Sequence, residues 1–436
     1  MEHITLEMWT SAAVLVLAYV LIFSERLHRT TAAMFGAVLM IGVGMWMGFY
    51  SQAAAIMAVD GNTILLLAAM MMLVALLRPT GAFDFAAVHI THWAMGNPKL
   101  LLIYLSLAVS LISMILDNVT TVIVFAPLTV LICRLLMINP MPYLMAEAML
   151  SNIGGAATLV GDPPNLMIGS AAGISFNNFL IHMGLPVLVV WLGTVGLMLF
   201  LFRRQLTEGG RDPKTLVATH AIKDVKGLKR ILFSLGVVVV LFFIHHTLHL
   251  LPAYAAFVGL ILALLLLRPD MEELFGSVNW SVLFFFVGLF MIVGGVESSG
   301  LLDLFGHELA KLAKDPAMLL LTGLLLMWIA AILSAVIDNI PFTVTMIPII
   351  LGLESSGVNS APLWWALALG VGLGGNGTHL GATANIIAVS ESEKSGIPEA
   401  RITPMQWIRT GMPVMFFGLL LASVVYWLFF DLFLSA

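Results

Sequence analysis

Two aspartates stand in stretches that otherwise hold almost only apolar side chains: Asp117 inside 99–137 and Asp338 inside 317–351. A carboxylate buried in lipid costs about 3 kcal/mol or more, and such residues serve an ion, a proton or a substrate. Each is followed by an asparagine (Asn118, Asn339) and preceded four residues earlier by a serine (Ser113, Ser334), on the same face if the helix runs on. Capping the helix that follows is the competing use of these aspartates, and the two uses are compatible. A second set of breaks interrupts 142–173 and 362–389. Gly154-Gly155 and Gly161-Asp162-Pro163-Pro164-Asn165 in the first are answered by Gly374-Gly375 and by Gly381 and Asn385 in the second. The paired prolines cannot continue a helix. Backbone broken inside a bilayer has to be buried in protein or line a watery cavity, and half-helix ends aim partial charges at whatever lies between them.

These positions repeat. Ser113, Asp117, Asn118 and Pro127 superpose on Ser334, Asp338, Asn339 and Pro348 at an offset of 221. Gly154, Gly155, Thr158, Gly161 and Asn165 fall on Gly374, Gly375, Thr378, Gly381 and Asn385 at 220, and Gly81 and Asp84 on Gly300 and Asp303 at 219. Glycines that merely let helices pack closely would not need matched Asn and Asp beside them. The copies also differ. Asp162 corresponds to Ala382, Leu159 to His379 and Ala156 to Asn376. A carboxylate from one copy and an imidazole from the other are groups that can exchange protons, so Asp162 and His379, with Asp117 and Asp338, are the expected proton-coupling residues.

The elements that carry these positions follow from composition. Of 436 residues 61% are hydrophobic and 10% charged, far from the roughly one-quarter charged of a soluble domain, so lipid is expected to cover most of the chain. Apolar runs fall near 8–24, 31–50, 62–78, 178–202, 231–250, 253–268, 280–297 and 406–430, with the four interrupted stretches between them. Met1-Glu2-His3 lacks a basic leader, so the first run is expected to be retained. The segment 203–230 carries eight basic residues against three acidic ones and reads as a cytoplasmic linker. With the termini periplasmic, 17 of the 19 Lys and Arg fall on the cytoplasmic side and only Lys311 and Lys314 outside. Residues 1–202 and 231–436 are then two copies of one unit. Each has about five transmembrane helices, one of them broken, plus a helical hairpin; an odd number of crossings makes the copies inverted, a construction common in secondary carriers. Asp84–Trp93 and Asp303–Leu312 are expected to be amphipathic interfacial segments. Glu147 is expected near the cytoplasmic interface, and Arg78 and Glu297 as interfacial anchors. Cys133 is the single cysteine, which excludes internal disulfides and multi-thiolate sites. His245, His246 and His249 cluster, but no metal site and no cofactor beyond a coupling H+ or Na+ is expected. Two membrane aspartates sharing a proton would also suit an intramembrane protease, but Leu159-Val160-Gly161-Asp162 lacks the first glycine of the motif such enzymes use.

The stretches Leu116-Asp-Asn-Val-Thr-Thr, Gly154-Gly-Ala-Ala-Thr, Gly161-Asp-Pro-Pro-Asn, Ile337-Asp-Asn-Ile-Pro-Phe-Thr and Gly374-Gly-Asn-Gly-Thr resemble the ion transporter superfamily. Within it they are most similar to the branch that joins arsenite permeases with the P protein. The resemblance implies an all-α, elevator-type transporter of the inner membrane. It places substrate or ion binding on Asp117, Asn118, Thr158, Asn165, Asp338, Asn339, Thr378 and Asn385, with Asp162 nearby. It implies proton-coupled efflux of arsenite or antimonite. Sodium/proton antiport is the alternative, and a dicarboxylate or citrate carrier ranks lower because aspartates would repel a dianion. Implied partners are the lipid bilayer, a small inorganic solute or ion, a second copy of the chain and an arsenite-stimulated ATPase; no nucleic acid is expected.

Overall fold

The computed structural model describes residues 5–23, 26–207, 222–302, 304, 316–336 and 339–435, all helix, turn or irregular chain with no strand among them. Asp338, Asp303, Lys311, Lys314 and linker residues 208–221 lie outside the described residues. The first half holds α1 (Leu6–Phe23), α2 (Arg29–Met47), α3 (Gln52–Met57), α4 (Gly61–Leu77), α5 (Ala82–Trp93), α6 (Pro98–Ser113), α7 (Asn118–Leu136), α8 (Met141–Gly155), α9 (Pro163–Ala172) and α10 (Phe176–Leu201). The second holds α11 (Val225–Ile244), α12 (Pro252–Leu267), α13 (Met271–Gly276), α14 (Trp280–Ser298), α15 (Pro316–Val336), α16 (Asn339–Ser355), α17 (Ala361–Gly374), α18 (Thr383–Lys394), α19 (Pro404–Leu428) and α20 (Phe430–Phe433). Eight of the described helices are long and apolar enough to cross a membrane, and five shorter ones are apolar. Their outward faces carry large bare side chains such as Phe35, Val38 and Trp46 on α2, the last 87% exposed, a surface that lipid would cover.

Local chemistry sets the boundaries. The Asn97 side chain accepts from the Lys99 amide at 3.0 Å and starts α6. Asp117 does the same for α7 through the Thr120 amide at 2.8 Å. A Thr403/Gln406 capping box opens α19. Asp224 caps α11 through the Gly227 amide at 2.9 Å, so that helix begins inside the segment assigned to the linker. Lys226, Lys229 and Arg230 occupy its first turns, where long basic side chains can reach polar headgroups. The chain segment expected to be amphipathic at 84–93 forms α5.

The two halves interleave. Helices α1, α2, α4, α11, α12 and α14 pack with one another, α2 against α14 and α4 against α12. Helices α6 to α10 and α15 to α19 form a second group, with α7 against α18, α9 against α16 and α10 against α19. Within the second group the hairpin arm and the broken helix touch backbone to backbone. A Cβ on Gly154 would lie 2.6 Å from the Ser110 carbonyl oxygen, and one on Gly374 2.5 Å from that of Ala331. Gly154→Ala should therefore prise α6 from α8 and cost about 1–3 kcal/mol. Thermal unfolding in detergent should show a lower midpoint than the parent, and an unchanged midpoint would mean the helices part without strain.

Candidate functional site

The repeat is written in hydrogen bonds as well as in residues. Asn165 donates from Nδ2 to the carbonyls of Gly155 (3.1 Å) and Thr158 (3.0 Å). Asn385 donates to the corresponding Gly375 (2.7 Å) and Thr378 (2.9 Å). The Thr158 hydroxyl donates to Met114 O and accepts from the Gly161 amide, and Thr378 does so with Ala335 O and Gly381. Ser113 donates to Ser151 O and Ser334 to Val371 O. These side chains satisfy carbonyls that the helix breaks would otherwise strand. Ser113 ends α6, so it meets α8 rather than sharing a helical face with Asp117.

Between the two breaks lies a buried cluster of amides around one carboxylate. Asn118 Nδ2 donates to Asp162 Oδ1 at 3.3 Å and to Asn152 Oδ1 at 3.0 Å. Asn339 Nδ2 donates to Asp162 Oδ2 at 3.5 Å. Asn152 in turn donates to Asn376 (2.9 Å) and Asn385 (3.1 Å). Every member is at most 3% exposed. Asp162 occupies the cap position of α9 yet makes no side-chain cap bond; its oxygens turn to the first turns of both hairpin helices instead. The oxygens of Asn118 and Asn165 have no partner among the described residues.

Asp117 is placed differently. Both carboxylate oxygens bond Thr120 of its own helix, and the residue lines a cavity of ≈ 410 Å³ rather than the amide cluster. That cavity is lined by Arg29, Arg78, Glu273 and Asn279 and by Asp117, Pro163, Ile340 and Thr383. Three members of the cluster, Asn118, Asp162 and Asn339, adjoin Asp117, Pro163 and Ile340 in the chain, so the cavity lies beside the cluster. Arg29 donates to the Thr383 hydroxyl at 2.9 Å and stands over the Phe285 ring. A second cavity of ≈ 190 Å³ is lined by Ala58, Asp60, Ser170, Glu297 and Pro348 among others. Helix α4 separates the two: Asp60 caps its start and Arg78 follows its end.

Of the expected site residues, the structure thus gathers Asn118, Asp162, Asn339 and Asn385. It assigns Thr158, Thr378 and Asn165 to the helix breaks and puts Asp117 on the large cavity. His379 sits beside the second break, its Nδ1 buried without a partner among the described residues. Asn152 and Asn376, the hub of the cluster, were not expected as site residues. Arg78 and Glu297, expected as anchors, line the two cavities. Glu147, expected at the interface, is 1% exposed and accepts from Thr129, because α8 is enclosed on all sides. His245 accepts from the Phe176 amide at 3.2 Å and its other ring nitrogen pairs with Leu250 O, a structural use; the described residues contain no group able to hold a metal ion.

Known proteins place this geometry. The citrate transporter family profile matches residues 19–370. An uncharacterized transporter of Mycobacterium tuberculosis is 39% identical over 427 residues, spanning 95% of this chain and 97% of its own length. The human P protein is 31% identical over 487 residues, spanning 93% of this chain and 58% of its own length. Among solved structures, the YdaH transporter of Alcanivorax borkumensis superposes with a TM-score of 0.60 at 15% identity, covering 99% of this chain and all of that one, which establishes a shared fold.

Proposed function

The chain belongs to the citrate transporter family and is a membrane transporter, and we propose that it is a proton-coupled carrier exporting a small uncharged hydroxylated solute by alternating access, with arsenous acid as the first candidate. The observation that carries this reading is the amide cluster on Asp162, built from both halves and bordered by the large cavity. Arsenous acid is neutral at pH 7 and offers hydroxyls that amide oxygens can accept. The large cavity sets Arg29 and Arg78 against Asp117 and Glu273, two positive and two negative charges, so its lining does not oppose a neutral solute. Asp162 is the carboxylate that joins the two halves, which suits a proton that travels with the conformational change.

In this reading the copies run in opposite directions, the hairpins and broken helices move as one elevator-like body, and the Arg78 end of α4 faces the cytoplasm. A citrate-like anion is the second reading, favoured by Arg29 and Arg78 on the cavity wall and by the family's description. Sodium in place of the proton is the alternative coupling ion. Purified protein in liposomes with an imposed pH gradient, offered arsenite, antimonite, citrate or sodium separately, is the test. Arsenite or antimonite flux that collapses with the gradient is the expected result; citrate flux alone would replace this reading with the second.

A further inference from the structure

We propose that Glu147 is a second proton-carrying carboxyl of the carrier, placed on the broken helix of the first copy alone. It is 1% exposed, and every residue of α8 is buried with it. Its one hydrogen-bond partner is the Thr129 hydroxyl on α7, and its Oε2 has none among the described residues. The repeat shows what a packing pair looks like at these two positions. At the offsets that align the breaks, Glu147 corresponds to Leu367 and Thr129 to Ile350, both fully buried. Apolar side chains serve the second copy there, so the fold itself has no need of an acid. Asp162 against Ala382 is an exchange of the same kind. The α8–α9 broken helix thus carries two buried carboxyls where its counterpart, α17–α18, carries none at the same positions.

No cation among the packed helices balances a charge on Glu147. Helix α8 packs against α6, α7, α10, α17 and α18. The basic side chains of those helices, Lys99, Arg134 and Lys394, are exposed. Lys394 pairs with Glu391, and Arg134 donates to Ser395 O. His182 on α10 has its two ring nitrogens on the backbone oxygens of Asn178 and Leu432. The remaining titratable groups on these helices and on α8 are Tyr104, Cys133, Tyr143 and Glu393, none of which brings positive charge. An enclosed carboxylate with one hydrogen bond and no counter-cation is stable only as the neutral acid. Glu147 lies six residues after the start of α8 and five before Asn152, the hub of the amide cluster, about 9 Å and 8 Å at 1.5 Å per residue. It therefore stands between that end of α8 and the cluster around Asp162. Water reaches it only when the neighbours of α8 part, which ties release of its proton to the transport movement. This assignment rests on the reading of the protein as a proton-coupled carrier.

Two measurements on the full chain in proteoliposomes test it. Infrared spectra should show a protonated-carboxyl carbonyl band that fades as the pH is raised. Glu147→Gln should lack that component, whereas Asp162→Asn should keep it. Solute-driven proton movement should fall by about one proton per solute in Glu147→Gln. Glu147→Leu combined with Thr129→Ile copies the apolar pair of the second copy and should show the same lowered ratio; it serves where the lone amide does not fold. A spectrum that Glu147→Gln leaves unchanged, a Glu147 band that persists at every pH, or the parental proton-to-solute ratio in both variants would overturn the assignment alone. Solute flux without any proton movement in the parent protein would overturn the proton-coupled reading beneath it, and the assignment with it.

Discussion

Asp162→Asn should cut solute flux more than tenfold while leaving the protein inserted and folded. The Asp162 carboxylate accepts from Asn118 at the start of α7 and from Asn339 at the start of α16, at 3.3 and 3.5 Å. An amide in its place can turn an oxygen toward only one of these donors and must face the other with an NH2 group. A buried donor left unpaired costs about 1–3 kcal/mol, and each 1.4 kcal/mol on a transport barrier is tenfold in rate. The cost falls where the two halves meet, so it is felt by conformational exchange more than by helix formation. Flux per milligram in proteoliposomes, read beside the thermal midpoint in detergent, separates the two effects. Exchanging the groups in Asp162→Asn with Asn339→Asp returns an acceptor opposite a donor and should recover part of the flux. His379→Gln should do less, because His379 stands outside the cluster and its Nδ1 has no partner to lose among the described residues. Parental flux and proton-to-solute ratio in Asp162→Asn would remove this residue from the mechanism.

The breaks were legible in the sequence because they rest on residue types with few other uses in lipid. Asp117, the 161–165 run and the two glycine pairs each mark the end of a helix within a residue or two. The repeat extended that reading to Asn165 and Asn385, whose equivalent bonds the structure shows. The hub of the cluster was not legible, and the reason is specific. Asn152 lies in the unbroken part of α8 and its counterpart is Gly372; Asn376 has Ala156 as its counterpart. Each half supplies an amide where the other has a small residue; the Ala156/Asn376 difference stands out between the copies, but a search for matched polar residues passes over Asn152 and Gly372. A Cβ on Gly372 would meet the Cβ of Ala156 at 3.0 Å, which shows the two small residues packed together beside the two amides. That reciprocal exchange was the signal available. The cavities beside Arg78 and Glu297 were hidden for a related reason: a charge at the end of an apolar run reads as an anchor, and only the packing of α4 and α14 against their neighbours reveals a cavity beside it. The burial of Glu147 was not legible either, because nothing in the sequence near a helix start tells enclosure by protein from contact with water.

Asp117→Ser should fold like the parent and yet lose proton-coupled export by more than tenfold, whereas Asp117→Ala should lose both export and stability. Serine is among the best helix caps and alanine among the poorest, a difference of about 1 kcal/mol, so the serine variant keeps the bond to the Thr120 amide and removes only the charge. That charge lines the large cavity, where the N-termini of α7, α9, α16 and α18 converge through Asp117, Pro163, Ile340 and Thr383. Helix N-termini carry partial positive charge, and Arg29 and Arg78 share the same wall. Without the carboxylate, Glu273 is the one acid left in the lining among the described residues, and a proton or sodium ion loses its counter-charge beside the amide cluster. A neutral solute bound by amides would still be recognised but no longer coupled, so its equilibrium exchange should survive while gradient-driven flux falls. An anionic solute would respond in the opposite way, since removing a negative charge from a wall with two guanidinium groups improves its binding. Gradient-driven and exchange flux of arsenite and of citrate, measured on the serine variant, therefore distinguish three states of affairs. Loss of driven arsenite flux with exchange retained places the coupling ion at Asp117, a gain in citrate flux assigns the cavity to an anion, and parental behaviour on every count reduces Asp117 to the cap of α7.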